Sequence, residues 1–128
     1  VRRKGEFILY GLSKYKETID EIICDLGVCN DGFDIRLMLT EALTNSFKHG
    51  NKGDKNKPIY LRYFYYGTYI NFEIEDCGNG FHETQIYDTA LEEDILSNSG
   101  RGLFIISSIA DKMEVKNNVL ILQKQLKV

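Results

Sequence analysis

In "LTEALTNSFKHGNKGD", residues 39–54, a carboxylate, a carboxamide and an imidazole recur four residues apart at Glu41, Asn45 and His49. Four-residue spacing stacks side chains one turn apart on one face of a helix. The apolar residues of the same stretch keep to another line, so the spacing sets Glu41 and Asn45 away from the core stripe. Such a pair reads either as a solvated face closed by an i,i+4 hydrogen bond or as the wall of a site that handles protons and polar ligands. Two glycine pairs add to the second reading. Gly78 and Gly80 in "DCGNGF" allow unusual backbone angles and close approach of a ligand. Gly100 and Gly102 in "SGRGLFII" open a helix whose bare amides suit an anion, and Arg101 adds a guanidinium there. Alone, each pair is also compatible with a tight turn or a glycine-rich helix start. No GxxxxGK[ST] run occurs, which excludes a Walker-type phosphate loop.

Asp76 adds a constraint of a different kind. In "YINFEIED" Ile70, Phe72 and Ile74 share one parity, while Asn71, Glu73 and Glu75 share the other. Alternation marks the first set as the buried face of a half-buried strand. Asp76 continues that parity, and a carboxylate aimed at a core needs a hydrogen-bond donor, because an unpaired one is too costly to bury. The plainer alternative is that the strand stops at Glu75 and Asp76 begins a turn.

These residues must be held by ordinary elements. "EFILY" (6–10) is a short strand. "SKYKETIDEIICDLG" is a helix with Ser13 as N-cap, Ile19, Ile22, Ile23 and Leu26 on its buried stripe, and Gly27 as its stop. A second helix spans about Asp34 to His49, burying Ile35, Met38, Leu39, Ala42, Leu43, Ser46 and Phe47 and ending at Gly50. "NKGDKNKP" is a polar loop closed by Pro58. "IYLRYFYY" and "YINFEIED" form a hairpin about Gly67-Thr68, and "KMEVKNNVLILQKQL" forms another about Asn117-Asn118. "GRGLFIISSIAD" is a third helix. Helices grouped against consecutive hairpins predict an α+β fold: a two-layer α/β sandwich with a mixed, mostly antiparallel sheet and helices on one face.

A length of 128 residues predicts one domain, 1–128, with a core of its own. A net charge of −3 provides no basic field, so direct nucleic-acid binding is not expected. No apolar run approaches the roughly 18 residues of a membrane span, and no signal-peptide pattern opens the chain, so a cytoplasmic protein without membrane contact is expected. The first residue, Val, leaves room for a longer parent chain. Cys24, Cys29 and Cys77 have neither disulfide nor zinc spacing and are expected to be reduced and mostly buried. His49 and His82 have no metal-ligand partners at a recognisable spacing.

In order along the chain, "EALTNSFKHGNKGD", "DCGNGF" and "SGRGLFII" resemble the N, G1 and G2 boxes of the Bergerat-fold (GHKL) ATPase superfamily, over roughly residues 35–110. Within it the chain is similar to the anti-sigma-factor serine kinases, with Ser46 standing where the family usually has Ala. The resemblance implies ATP and Mg²⁺ as cofactors. It makes Asn45 the Mg²⁺ ligand, Glu41 the general base, and His49 and Gly50 the pocket border. Asp76 becomes the acceptor for the adenine amino group, Gly78 and Gly80 the close approach to the base, and Gly100, Arg101 and Gly102 the phosphate contacts. It further implies a homodimer that binds a sigma factor and phosphorylates a serine of an anti-sigma-factor antagonist. The rival readings are a non-catalytic, nucleotide-dependent binding module and the ATPase module of a larger signalling protein. The acidic stretch 82–99 is expected to be a lid that orders over bound nucleotide.

Overall fold

The computed structural model describes residues 1–78 and 98–127, with residues 29 and 98–101 described by their backbone alone. Among the described residues five strands form one sheet: β1 (Arg3–Tyr10), β2 (Pro58–Tyr65), β3 (Tyr69–Glu75), β4 (Lys112–Lys116) and β5 (Val119–Gln125). Their spatial order is β1-β2-β3-β5-β4, and each neighbouring pair is antiparallel. The α-helices of the described residues, α1 (Tyr15–Leu26), α2 (Gly32–Asn45) and α3 (Asn98–Ile109), cover one face. This is the two-layer α/β sandwich expected from the chain, with the core between the layers.

The alternation in β3 decides which face is inside. Ile70, Phe72 and Ile74 have no exposed surface; across the sheet Ile74 faces Leu61 of β2 and Leu120 of β5, and Phe72 faces Leu122 of β5. Ile35, Met38, Leu39 and Leu43 close the core from α2, and Ile19 and Ile22 from α1. The opposite parity builds a charged outer face. Arg62 on β2 donates to Glu73 and Glu75 of β3 at 2.9 Å each and to Glu6 of β1 at 3.3 Å, so one guanidinium ties three strands together.

Both hairpins turn where expected. Gly67 takes a φ of 94°, and Tyr66 N–H donates to Tyr69 C=O at 2.9 Å; Asn117 takes a φ of 55° between β4 and β5. Gly27 ends α1 in the left-handed region at φ 64°, where its N–H reaches Cys24 C=O. The expected cap at Ser13 is not there. The helix begins at Tyr15, which leaves Ser13 a residue too early, and no side chain caps it. Instead Thr18 donates both its N–H and its hydroxyl to Lys14 C=O. β1 is also longer than its apolar run, because its polar residues from Arg3 onward still pair with β2 up to Tyr65.

Cys24 and Cys77 are exposed rather than buried. The buried stripe of α1 runs through Ile22, Ile23 and Leu26 and leaves position 24 outside, while Cys77 lies beyond the end of β3. Of the stretch expected to form a lid, 82–97 lies outside the described residues, and 98–99 already belong to α3. Among the described residues no helix is long and apolar enough to cross a membrane.

Position Phe72, fully enclosed at the centre of the sheet, should dominate stability. Phe72→Ala is expected to cost about 3–5 kcal/mol. Phe104→Ala, at a side chain 43% exposed on α3, should cost no more than about 0.5 kcal/mol. Urea denaturation of the three proteins would show it, and equal shifts for both variants would contradict this account of the core.

Candidate functional site

α2 does not stop at Asn45. It widens into a turn over Ser46–Gly50 in which Asn51 N–H bonds back five residues to Ser46 C=O at 2.8 Å, and Gly53 N–H reaches Phe47 C=O at 2.8 Å. Insertions of this type re-aim the side chains that follow and occur often at functional sites. They also break the four-residue line read from the sequence: Glu41 and Asn45 remain one α-helical turn apart, while His49 lies on the widened turn, exposed.

The polar line is not a solvated one. Asn45 is only 7% exposed and Glu41 is half-buried, because α3 packs over them. Gly102 makes this possible. A Cβ at that position would stand 2.8 Å from Asn45 Nδ2 and 3.0 Å from Glu41 Oε2, so the bare backbone of α3 lies against both functional groups. Asn45 Nδ2 is buried there without a hydrogen-bond partner among the described residues. Native proteins seldom leave such a donor unpaired, and doing so costs about 1–3 kcal/mol.

On the other side of Asn45, the end of β3 meets the widened turn. Asp76 is 4% exposed, as its parity requires. The donors that the parity argument called for are Gly78 N–H, at 2.8 Å from Oδ1, and the Ser46 hydroxyl. Burial pushes the Asp76 carboxyl above its ordinary 3.8; the bonds from Gly78 and Ser46 pull it back, and Glu75 raises it slightly. Gly50 is packed so closely on this carboxyl that any Cβ would overlap it, and a Cβ at Gly78 would stand 2.7 Å from Gly50 C=O. Gly78 has no left-handed φ. What it requires is space rather than unusual backbone angles.

The structure thus brings Glu41, Asn45 and Gly102 together, and Gly50, Asp76 and Gly78 together, with Ser46 joining the two groups. Gly80 lies outside the described residues, and Gly100 and Arg101 are placed only as backbone in the first turn of α3. Among the described residues no three His, Cys, Asp or Glu side chains converge as a metal cage. Three residues of the site were not foreseen. Ser46 read as part of the apolar stripe, yet a hydroxyl on a buried line needs a partner, and that was the signal available. Asn51 is fully buried, its carboxamide donating to Lys57 and Pro58 C=O at 3.0 and 3.2 Å and accepting from Cys77 N–H at 2.7 Å. Asn118 donates its side-chain amide to Asp76 C=O. Asn51 sat in a polar loop and Asn118 in a turn, where no pattern sets them apart.

A model of the histidine kinase-like ATPase domain matches residues 16–124. The chain belongs to that family. The serine-protein kinase RsbW of Listeria monocytogenes serovar 1/2a is 28% identical over 88 residues, which are 64% of this chain and 56% of that protein. RsbW of Bacillus subtilis is 28% identical over 91 residues (66% and 57%), and RsbW of Bacillus licheniformis 26% identical over 106 residues (77% and 66%). The matched stretch therefore spans little more than half the length of the Listeria and B. subtilis kinases. The two-layer sandwich is the Bergerat fold of this family.

In this histidine kinase-like domain the raised Asp76 sets a pH dependence. The folded protein holds the Asp76 proton more tightly than the unfolded chain does, so its contribution to stability is complete below about pH 3.8 and is lost as pH rises through the folded value. Asp76→Asn does not ionise and is spared that loss. Its stability relative to the parent should therefore improve from about pH 4 to about pH 7, read as the difference in urea midpoints. A difference that stays constant with pH would show that burial does not perturb this carboxyl.

Proposed function

We propose that this chain binds Mg²⁺·ATP and acts as a protein-serine/threonine kinase toward an anti-sigma-factor antagonist, while holding a sigma factor without chemistry. In this reading residues 1–128 work as one domain in a cytoplasmic homodimer, with no direct contact to nucleic acid or membrane. The observation that carries it is the convergence of Glu41 and Asn45 on the bare backbone of Gly102. A module that only binds nucleotide has no use for a carboxylate at that position. The relatives named as serine-protein kinases point the same way.

The residues suit the ligand. Asn45 offers a neutral carboxamide, a fitting metal ligand where phosphates already supply the negative charge. Its buried Nδ2, unpartnered among the described residues, marks an amide that lacks a full set of partners there. Asp76 keeps lone pairs beyond those used by Gly78 and Ser46, and the exocyclic amine of adenine would donate to them. Gly50 and His49 would border the pocket, Gly78 and Gly80 would admit the base, and Gly100, Arg101 and Gly102 would hold phosphates at the start of α3. Mg²⁺·ATP, when bound, supplies the transferable phosphoryl group and the metal charge that offsets its negative oxygens. Glu41 takes the proton of the attacking serine hydroxyl. Phosphoryl transfer demands chiefly positioning and charge neutralisation, which this set provides.

Binding and chemistry separate under mutation. Asn45→Ala should remove most of the Mg²⁺ dependence of ATP binding by calorimetry; a parent that binds ATP equally in chelator and in magnesium would refute the metal assignment. Glu41→Ala should keep ATP affinity within a few-fold but lower phosphate transfer to the antagonist by roughly 10²–10⁴-fold, with sigma-factor binding retained. Radiolabel transfer from ATP to partners recovered by pull-down from native cytoplasm measures it. If the parent transfers no phosphate to any of them, the chain is a nucleotide-dependent binding module. If parent and variant transfer alike, Glu41 is not the base.

A further inference from the structure

The peptide group between Asp76 and Cys77 is held at both ends by carboxamides from distant parts of the chain. Its C=O accepts from the side chain of Asn118, in the β4–β5 turn. Its N–H donates to Asn51 Oδ1 at 2.7 Å. A peptide unit has one donor and one acceptor, so both are taken by side chains. Each carboxamide is itself anchored. Asn51 is fully buried; its side chain also bonds Lys57 and Pro58 C=O where β2 begins, and its N–H closes the widened turn at Ser46 C=O. Asn118 accepts Asp76 N–H on its own C=O at 3.2 Å.

We propose that Asn51 and Asn118 are positioning residues for nucleobase selection: they lock the Asp76–Cys77 peptide so that the Asp76 carboxylate is aimed before any ligand arrives. The inference rests on reading Asp76 as the acceptor for the adenine amine. Asn118 grips Asp76 on both flanking peptides, its C=O accepting Asp76 N–H and its side chain donating to Asp76 C=O, so the Asp76 Cα and its Cα–Cβ direction are fixed together. Release of the Asp76–Cys77 peptide would also carry Gly78 N–H away from the carboxylate. With the peptide clamped, the carboxylate has one orientation, and a base offering an amine there is preferred over one offering a carbonyl. Sequence distance hides the arrangement: the two carboxamides stand 25 residues before and 42 residues after Asp76.

Asn118→Gly is the decisive variant. It deletes the side-chain donor and leaves Asn-Gly, a pair well suited to a two-residue hairpin turn. Calorimetry with Mg²⁺·ATP and Mg²⁺·GTP on the parent, Asp76→Ala and Asn118→Gly should show ATP affinity about 3- to 10-fold weaker in Asn118→Gly, the loss expected of one hydrogen bond. GTP affinity should hold, so the ratio of ATP to GTP affinity falls. A loss shared equally by ATP and GTP would mean general support of the fold and overturn the proposal. So would parental ATP affinity in Asn118→Gly when Asp76→Ala has lost it, a result that leaves the Asp76 reading intact. If parent and Asp76→Ala bind ATP alike, the Asp76 reading itself fails and takes the clamp with it. A measurement on the nucleotide-free parent does not depend on how the variants fold: the Cys77 amide should be protected from hydrogen exchange, and exchange at the rate of a free amide overturns the clamp.

Discussion

A carboxylate inside a protein is tolerated only where donors replace the water it has lost. Asp76 finds them in the Ser46 hydroxyl and in Gly78 N–H, the first from the turn after α2 and the second from the segment after β3. That demand joins the two layers of the sandwich at one point. It requires the α2 turn to come close enough for Ser46 to reach across, which leaves no room for a side chain at Gly50. It requires the chain after β3 to double back on Gly50 C=O, which leaves none at Gly78. Even with these partners the carboxyl remains pushed above its ordinary range, so the donors offset the burial only in part.

Glycine serves two separate purposes in this fold. Gly11, Gly27, Gly53 and Gly67 take positive φ and shape turns or a helix end. Gly50, Gly78 and Gly102 do not; they are places where another group occupies the volume a Cβ would need. Gly5 on β1, where the Tyr63 ring takes the space, is a further case away from the site. The other three surround the candidate site, and the groups they admit are the carboxylate of Asp76, the backbone of Gly50, and the side chains of Glu41 and Asn45. In a chain with so small a core, close backbone approach is what brings functional groups from three elements within reach of one another.

The features carried by periodicity were legible in the chain, and those carried by long-range pairing were not. The parity of Ile70, Phe72 and Ile74 extends to Asp76, so its burial followed from counting by two. The apolar stripes of α1 and α2 follow from 3.6-residue spacing, as do the hairpins from their turn pairs. The same spacing fails at Asn45: it lies off the apolar stripe yet is buried, and nothing local reveals that α3 returns to cover it. The widened turn at Ser46–Gly50 left no mark either, since its residues suit an ordinary helix end. Asn51 and Asn118 read as loop and turn formers because that is what Asn does locally. Their other bonds depend on partners that only the folded sheet brings near.

Two costs of the fold lie at the candidate site. Asn45 holds a buried donor with no acceptor among the described residues, and Asp76 holds a buried carboxyl whose donors do not fully compensate its burial. Such costs persist in a fold when the surrounding structure overrides them, and they gather at functional sites. The proposed ligand answers both in kind. An adenine amine is a donor for Asp76, and a phosphate oxygen is an acceptor for the Asn45 amide. Each would be a bond made by groups the fold has already desolvated and oriented, so that little further ordering is required of them on binding. The two carboxamides that clamp the Asp76 peptide belong to the same economy. They keep a buried carboxylate pointed in one direction, which is the condition under which it distinguishes an amine from a carbonyl at all.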